Sequence, residues 1–258
     1  MIHRAWAIGV LMLSTLVQAN PLFFGRDERV RMPVQQAPWS ALGQLETRSG
    51  QICTVSLVAA QWALTAGHCL FDEKGRPDPV ISVEFGLEGE RVRAHIQVVR
   101  SYWPPTLRAG LRVHADGLSI RNDATKLDYA LLHLKLPVPA RIAQPIAVFK
   151  GDQAALRLAL DQAGWRVTQA GYPDDDQTHL LGHRGCRVTA LTANHVLTHR
   201  CDTLAGDSGS PLLMQQGKQW VLIGVQSSAP ATADRATEDN RAASVTGMQD
   251  WLHQHLPD

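Results

Sequence analysis

The sequence predicts an all-β chain, a sandwich or barrel in two parts closed by a C-terminal helix. Three observations carry that expectation. From Trp39 onward, short segments rich in Val, Leu, Ile and Thr are punctuated by Gly, Pro and Asp, which is the pattern of half-buried strands joined by turns. A proline-bearing link, Leu136-Pro137-Val138-Pro139, divides these segments into two sets. Over residues 246–256 the period changes: Met248, Trp251, Leu252 and His255 fall on one helical face, with Thr246 as the cap.

Taken in order, residues 1–19 read as a secretory signal. His3 and Arg4 form a positive head, Ala5 to Val17 an apolar middle, and Val17-Gln18-Ala19 a small-residue cleavage site. The apolar run is too short to span a bilayer comfortably, so the mature chain is expected to begin at Asn20, outside the cytoplasm, secreted or periplasmic. Residues 20–37 are charged and irregular and read as an N-terminal arm or pro-segment. Strands of a first domain, residues 38–138, are expected at Leu42–Glu46, Cys53–Val58, Trp62–Thr65, Ile81–Phe85, Arg91–Val99 and Tyr129–Leu134. A second domain, residues 139–258, supplies strands at Trp165–Ala170, Gly185–Leu191, His195–His199, Pro211–Met214 and Trp220–Gln226. The Ala-rich stretch from Ala229 to Ala243 reads as a loop.

Composition is that of an ordinary globular protein, with 45% hydrophobic and 19% charged residues and a net charge of +1. No field toward nucleic acid follows from that balance, and no later stretch reaches membrane-spanning length. A monomer is the expected state. Four cysteines in an exported chain point to two disulfides, for which three pairings are open.

The chemistry centres on Ala205-Gly206-Asp207-Ser208-Gly209-Ser210-Pro211. A serine between glycines stands on a tight turn with bare backbone on both sides. A substrate carbonyl can then approach, with the N–H groups of Gly206 and Ser208 as an oxyanion hole. Because an alcohol needs a base and an orienting acid, His68 and Asp128 gain weight. His68 ends an apolar run beside Cys69, and Asp128 heads a nearly continuous apolar strand, where a buried carboxylate needs a partner. Asp128 would fix the tautomer of His68, which would take the Ser208 proton. Asp116 and Asp123 are rival acids and His133 a rival base. Taken singly, the three residues could equally be a core histidine, a strand-capping acid and a turn serine.

Leu64-Thr65-Ala66-Gly67-His68-Cys69, Asp128-Tyr129-Ala130-Leu131-Leu132 and Gly206-Asp207-Ser208-Gly209-Ser210-Pro211, in that order, resemble the chymotrypsin (trypsin-like) serine peptidases. Cys201-Asp202-Thr203 and Gly171-Tyr172-Pro173 look closer to bacterial secreted members of the glutamyl endopeptidase kind. The resemblance implies two antiparallel six-stranded β-barrels, with His68 and Asp128 in the first, Ser208 in the second and the active site in the cleft between them. It implies the catalytic triad and the pairings Cys53–Cys69 and Cys186–Cys201. It also implies that a freed N-terminal amine, here Val30 after cleavage at Arg29, would pair with Asp207, although Val30-Arg31-Met32-Pro33 lacks the family's glycine-rich start.

For the substrate pocket, Asp202 stands six residues before Ser208, the offset at which trypsins carry the acid that binds Lys or Arg. Thr203 is shared with glutamyl endopeptidases, whose pocket histidine is replaced here by Gln226. Extended peptide would add along Gln226-Ser227-Ser228-Ala229 as a further strand. His179/His183 and His195/His199 have zinc-like spacing, but four residues do not bring two side chains to one face of a strand, so no metal and no cofactor is expected. The function that the resemblance implies, beside the chemistry of these residues, is a secreted serine endopeptidase, with a protein or peptide substrate as its partner. The alternatives are an esterase using the same triad and a catalytically silent peptidase-fold binding module.

Overall fold

The computed structural model describes residues 23–114 and 117–256. The expected signal over 1–19, the mature start at Asn20 and the rival acid Asp116 lie outside the described residues. After β1 (Arg29–Arg31) in the arm come β2 (Leu42–Thr47), β3 (Ile52–Ala59), β4 (Trp62–Thr65), β5 (Val80–Phe85) and β6 (Ala94–Tyr102). A small hairpin, β7 (Leu111–His114) and β8 (Gly117–Ile120), precedes β9 (Ala130–Leu134). Strands β2-β3-β4-β9-β6-β5 close into a barrel. Leu45, Val55, Leu57, Ala63, Val83, Phe85 and Leu132, all fully buried, share one face of its strands by register, and Leu42, Leu64 and Leu131, also fully buried, share the other. Strand β9 lies between β4 and β6 and is covered on both faces, so it reads as an apolar run rather than an alternation. His133, its one half-buried residue, stacks on Trp62 at 4.5 Å and is a packing residue.

The second half contains β10 (Ala147–Val148), α1 (Gln153–Gln162), β11 (Arg166–Gly171), β12 (Leu181–Leu191), β13 (Val196–His199), β14 (Pro211–Gln216), β15 (Gln219–Ser228), β16 (Asn240–Ser244) and α2 (Gln249–His255). The order β12-β11-β14-β15-β16-β13, with β13 returning to β12, makes a second six-stranded barrel. Strand β1 extends it by pairing with β12, and β10 pairs in parallel with β15. Both expected disulfides, Cys53–Cys69 and Cys186–Cys201, are formed.

Three local expectations are corrected. The Ala-rich stretch is not loop to its end: Asn240–Ser244 is β16, because β13 and β15 flank it and the small Ala242 and Ala243, both fully buried, fit the crowded interior. Thr246 does not cap the last helix. It lies in a one-turn 3-10 helix, Val245–Gly247, and α2 begins after Met248. Helix α1 was not anticipated, although its sequence carries the signals: Asp152 accepts a hydrogen bond from the Ala155 N–H at 2.8 Å, and Leu156 and Leu160 are buried one turn apart.

Helix α2 reaches back to the first barrel. Trp251 meets Tyr129 edge-on at 5.0 Å, and His255 lies 5.2 Å from Tyr102. Since Tyr129 follows Asp128, this contact braces the acid's strand against the second half of the molecule.

Candidate active site

His68 sits in the 3-10 turn Gly67–Leu70 that ends β4. A side chain at Gly67 would collide with Leu107, so glycine lets the turn lie flush against the segment carrying Asp128. The Asp128 carboxylate is fully buried and accepts three hydrogen bonds. Oδ1 accepts from the His68 backbone N–H at 2.7 Å, while Oδ2 accepts from His68 Nδ1 at 2.7 Å and from Ser227 Oγ at 2.5 Å. Because the carboxylate can only accept, Nδ1 carries the proton and Nε2 keeps a lone pair. Burial works against the imidazolium, but the charge and hydrogen bond of Asp128 outweigh it, so the His68 pKa is raised above its ordinary 6.5. The rival acid Asp123 is engaged with Arg121 at the surface.

Ser208, half-buried, stands in the loop between β13 and β14. Both barrels hold this loop. Thr54 of β3 donates its N–H to Ser208 O at 2.8 Å and its hydroxyl to Gly206 O at 3.0 Å, while Gly209 N–H donates to Gln226 O at 2.9 Å. Gly206 and Gly209 have φ of 87° and 84°, the left-handed region that favours glycine. A side chain at Gly206 would also strike Tyr172 O. Ala205 O accepts from Asp174 N–H at 2.8 Å, and the planar trans peptide then turns Gly206 N–H the opposite way. Neither Gly206 N–H nor Ser208 N–H has an acceptor among the described residues. No hydrogen bond joins His68 Nε2 to Ser208 Oγ among the described residues; the recorded polar contact of Nε2 is Cys69 Sγ at 3.9 Å.

Beside Ser208 opens a cleft cavity of about 680 Å³, lined by Leu204, Gln226, Ser227, Ser228 and Arg235 among others. The expected pocket residues Gln226, Ser227 and Ser228 are therefore brought together with the serine. Asp202 and Thr203 are not; they are 2% and 1% exposed and do not line the cavity. The reason is the disulfide: Cys201, tied to Cys186 of β12, draws Asp202 toward β12 and the arm. There Asp202 Oδ2 accepts from the Glu28 N–H at 2.9 Å and lies 3.1 Å from His183 Nδ1. Ser227 holds Asp128 rather than facing the substrate alone. Asp207 is buried and accepts from the Leu204 N–H at 2.9 Å. Burial pushes its carboxyl up to about 7, with hydrogen bonds from Leu204 and Thr203 opposing. Val30 is in β1, registered on Gly182.

Sequence reasoning did not single out Arg235, whose only signal is a lone cation in an Ala-rich loop following the Gln226 strand. Nor did it see His199 as the partner of Gln226 (2.7 Å). The two His-x-x-x-His pairs have separate partners: His179 binds Asp176, and His195 binds Thr246 Oγ1. Glu28, His183 and Asp202 place ligand atoms within 4.8 Å of one another, and Cys53 and Cys69 beside His68 are joined as a disulfide, leaving no thiolate to ligate.

A solved structure titled as a Glu endopeptidase in complex with MPD superposes over 89% of this chain and 97% of its own, with a TM-score of 0.69 and 20% identity, which shows the fold. Among curated proteins, transmembrane protease serine 11G of Mus musculus is 24% identical over 242 residues, covering 85% of this chain and 53% of its own length. The CLIP domain-containing serine protease B14 of Anopheles gambiae is 23% identical over 260 residues, covering 85% and 68%. The chain thus spans about half the length of the mouse relative. The family model described as Trypsin matches residues 28–252. With the three motifs in order and both barrels in place, the chain belongs to the trypsin family.

Proposed function

We propose that this chain is an exported serine endopeptidase that works through an acyl-enzyme. The observation that carries the reading is the buried network in which Ser227 and both His68 N–H groups converge on Asp128, leaving His68 Nε2 as a base at the cleft that holds Ser208. Ser208 Oγ attacks the peptide carbonyl as its proton passes to Nε2. Gly206 and Ser208 N–H groups receive the oxyanion, and the amine leaves with the proton from His68. Water, deprotonated in turn by His68, hydrolyses the ester and frees Ser208. The His68–Ser208 contact closes when substrate is bound, as catalytic hydrogen bonds that are long in the free enzyme do.

Substrate lies extended against the end of β15 at Gln226-Ser227-Ser228 and adds to it through main-chain hydrogen bonds. Two disulfides support an oxidising destination, in keeping with the signal read over residues 1–19. Among the described residues no helix is long and apolar enough to cross a membrane. The test is digestion of a mixed peptide library by the secreted chain and by Ser208→Ala, with cleavage sites read by mass spectrometry. Cleavage by the wild type alone is expected. Cleavage by both, or by neither while an ester panel is hydrolysed, would refute the endopeptidase reading.

A further inference from the structure

The cavity beside Ser208 contains a cation that forms no ion pair among the described residues. Arg235 lines it, and its Nε and Nη1 atoms are buried without a hydrogen-bond partner among the described residues. A guanidinium carries five donors and stays charged, so burying them unmatched is unfavourable unless something else supplies the acceptors. The guanidinium is held from behind: it lies over the Phe24 ring at 5.5 Å, and Arg200 lies over the same ring at 5.7 Å. Burial lowers the Arg235 pKa, and the charge of Asp202 opposes that lowering. That carboxylate accepts from the Glu28 N–H, while His183 Nδ1 accepts from the Asp202 backbone N–H, and the carboxylate forms no ion pair with Arg235 among the described residues.

Gln226 adds a second donor, and its orientation follows from hydrogen-bond logic. His199 is buried and neutral, its pKa pushed down to about 4 by burial against the Gln226 hydrogen bond. Its Nδ1 accepts from the Cys201 N–H at 3.2 Å, so the proton sits on Nε2, which donates to Gln226 Oε1 at 2.7 Å. The amide oxygen of Gln226 is thereby turned toward His199. Its NH2 gives one proton to Ser228 O at 3.2 Å, and its other N–H has no acceptor among the described residues. The cavity therefore presents N–H groups at Arg235 and Gln226; of the two carboxylates on its lining, Asp175 is paired with Arg29, and Asp174 is exposed and forms no ion pair with Arg235 among the described residues.

We propose that Arg235 and the Gln226 amide make this cavity a carboxylate-binding specificity pocket, so that the chain cleaves after glutamate or aspartate. The inference rests on Ser208 being the nucleophile. It assigns the preference to a cation in the loop after β15, with His199 as a positioning residue that fixes the Gln226 amide. A substrate lysine or arginine would meet Arg235 as a like charge, while a carboxylate would receive a charge-assisted N–H···O bond from the guanidinium.

The test compares kcat/KM on matched peptides that differ only at the residue before the cut, Glu, Asp, Gln or Lys, for wild type, Arg235→Gln and Arg235→Glu. Labelling of Ser208 by a fluorophosphonate is followed in parallel, because it reports the catalytic centre without using the pocket. The wild type is expected to favour Glu over its neutral isostere Gln by about 100-fold. Arg235→Gln should lose most of that preference while labelling at the wild-type rate, and Arg235→Glu should turn the preference toward Lys. Equal cleavage after Glu and Gln, a wild-type preference for Lys, or a preference unchanged in Arg235→Gln would overturn the proposal. If no form is labelled or cuts, the nucleophile reading fails and the pocket is judged by calorimetry on Ser208→Ala. Tighter binding of a peptide ending in Glu than of one ending in Gln, lost on adding Arg235→Gln, supports the pocket, and equal binding refutes it.

Discussion

Asp207 precedes the nucleophile and is buried with backbone and hydroxyl donors, without an ammonium partner among the described residues. In the unfolded chain its carboxyl titrates near 3.8; in the fold, burial raises it to about 7. A raised folded pKa for an acid means that stability is fully present below the unfolded value and is lost as pH rises through the interval to the folded one. The difference is about three pH units. At about 1.4 kcal/mol each, the carboxylate costs the fold ~4 kcal/mol above pH 7 and almost nothing near pH 4. Asp207→Asn keeps an oxygen for the Leu204 N–H and has no charge to bury. Urea unfolding in a Ser208→Ala background, which prevents self-digestion, should show Asp207→Asn gaining ~4 kcal/mol at pH 8 relative to its effect at pH 4. A substitution effect that is the same at both pH values would refute the reasoning. A loss of stability at pH 8 would mean that a cation holds Asp207 ionised, as a freed Val30 amine would. N-terminal sequencing of the active form decides that route: an Asn20 terminus on a fully active enzyme would sink it.

Four further outcomes are expected. Activity should rise with pH through a midpoint above 6.5, because the raised pKa of His68 keeps the imidazole protonated to higher pH; a flat kcat/KM profile from pH 5 to 8 would contradict its role as base. Over the same range the stabilisation from the imidazolium–Asp128 pair is complete below 6.5 and lost as pH passes the raised folded value, so urea midpoints should move opposite to activity. Ser227→Ala removes a donor from Asp128, so it should cost about 1 kcal/mol of stability and move the activity midpoint upward, since a less neutralised carboxylate favours the imidazolium; an unchanged midpoint would deny Ser227 that role. Gly206→Ala, which places a methyl against Tyr172 O at a φ of 87°, should rotate the peptide and lower kcat about 10²–10³-fold, with steady-state kinetics as the check and a near-normal kcat as the refutation.

The parts of this molecule that were legible in the sequence are those whose chemistry dictates residue type. Ser208 between glycines, His68 beside a cysteine and Asp128 at the head of an apolar strand each state a local requirement, and the fold brings the His68–Asp128 pair to 2.7 Å. Strands such as β3 and β9 announce themselves because their own side chains fill a barrel. Strand β16, Asn-Arg-Ala-Ala-Ser, does not, since its neighbours impose extended pairing on it. The β7–β8 hairpin is likewise made by mutual pairing rather than by a strong pattern. Asp202 misled because sequence offset does not encode direction. The Cys186–Cys201 bridge aims it at His183 and the arm, away from the cavity. Arg235 and His199 were invisible for a related reason: each acquires its surroundings only when its loop or strand folds against Gln226.

The most direct test of the catalytic account is intact-mass analysis after a fluorophosphonate treatment, in which Ser208 Oγ displaces fluoride from phosphorus. One adduct per chain, mapped to Ser208, absent in Ser208→Ala and formed at least about 10³-fold more slowly in His68→Ala, is the predicted result. An adduct on another residue, or labelling at an unchanged rate without His68, would contradict it.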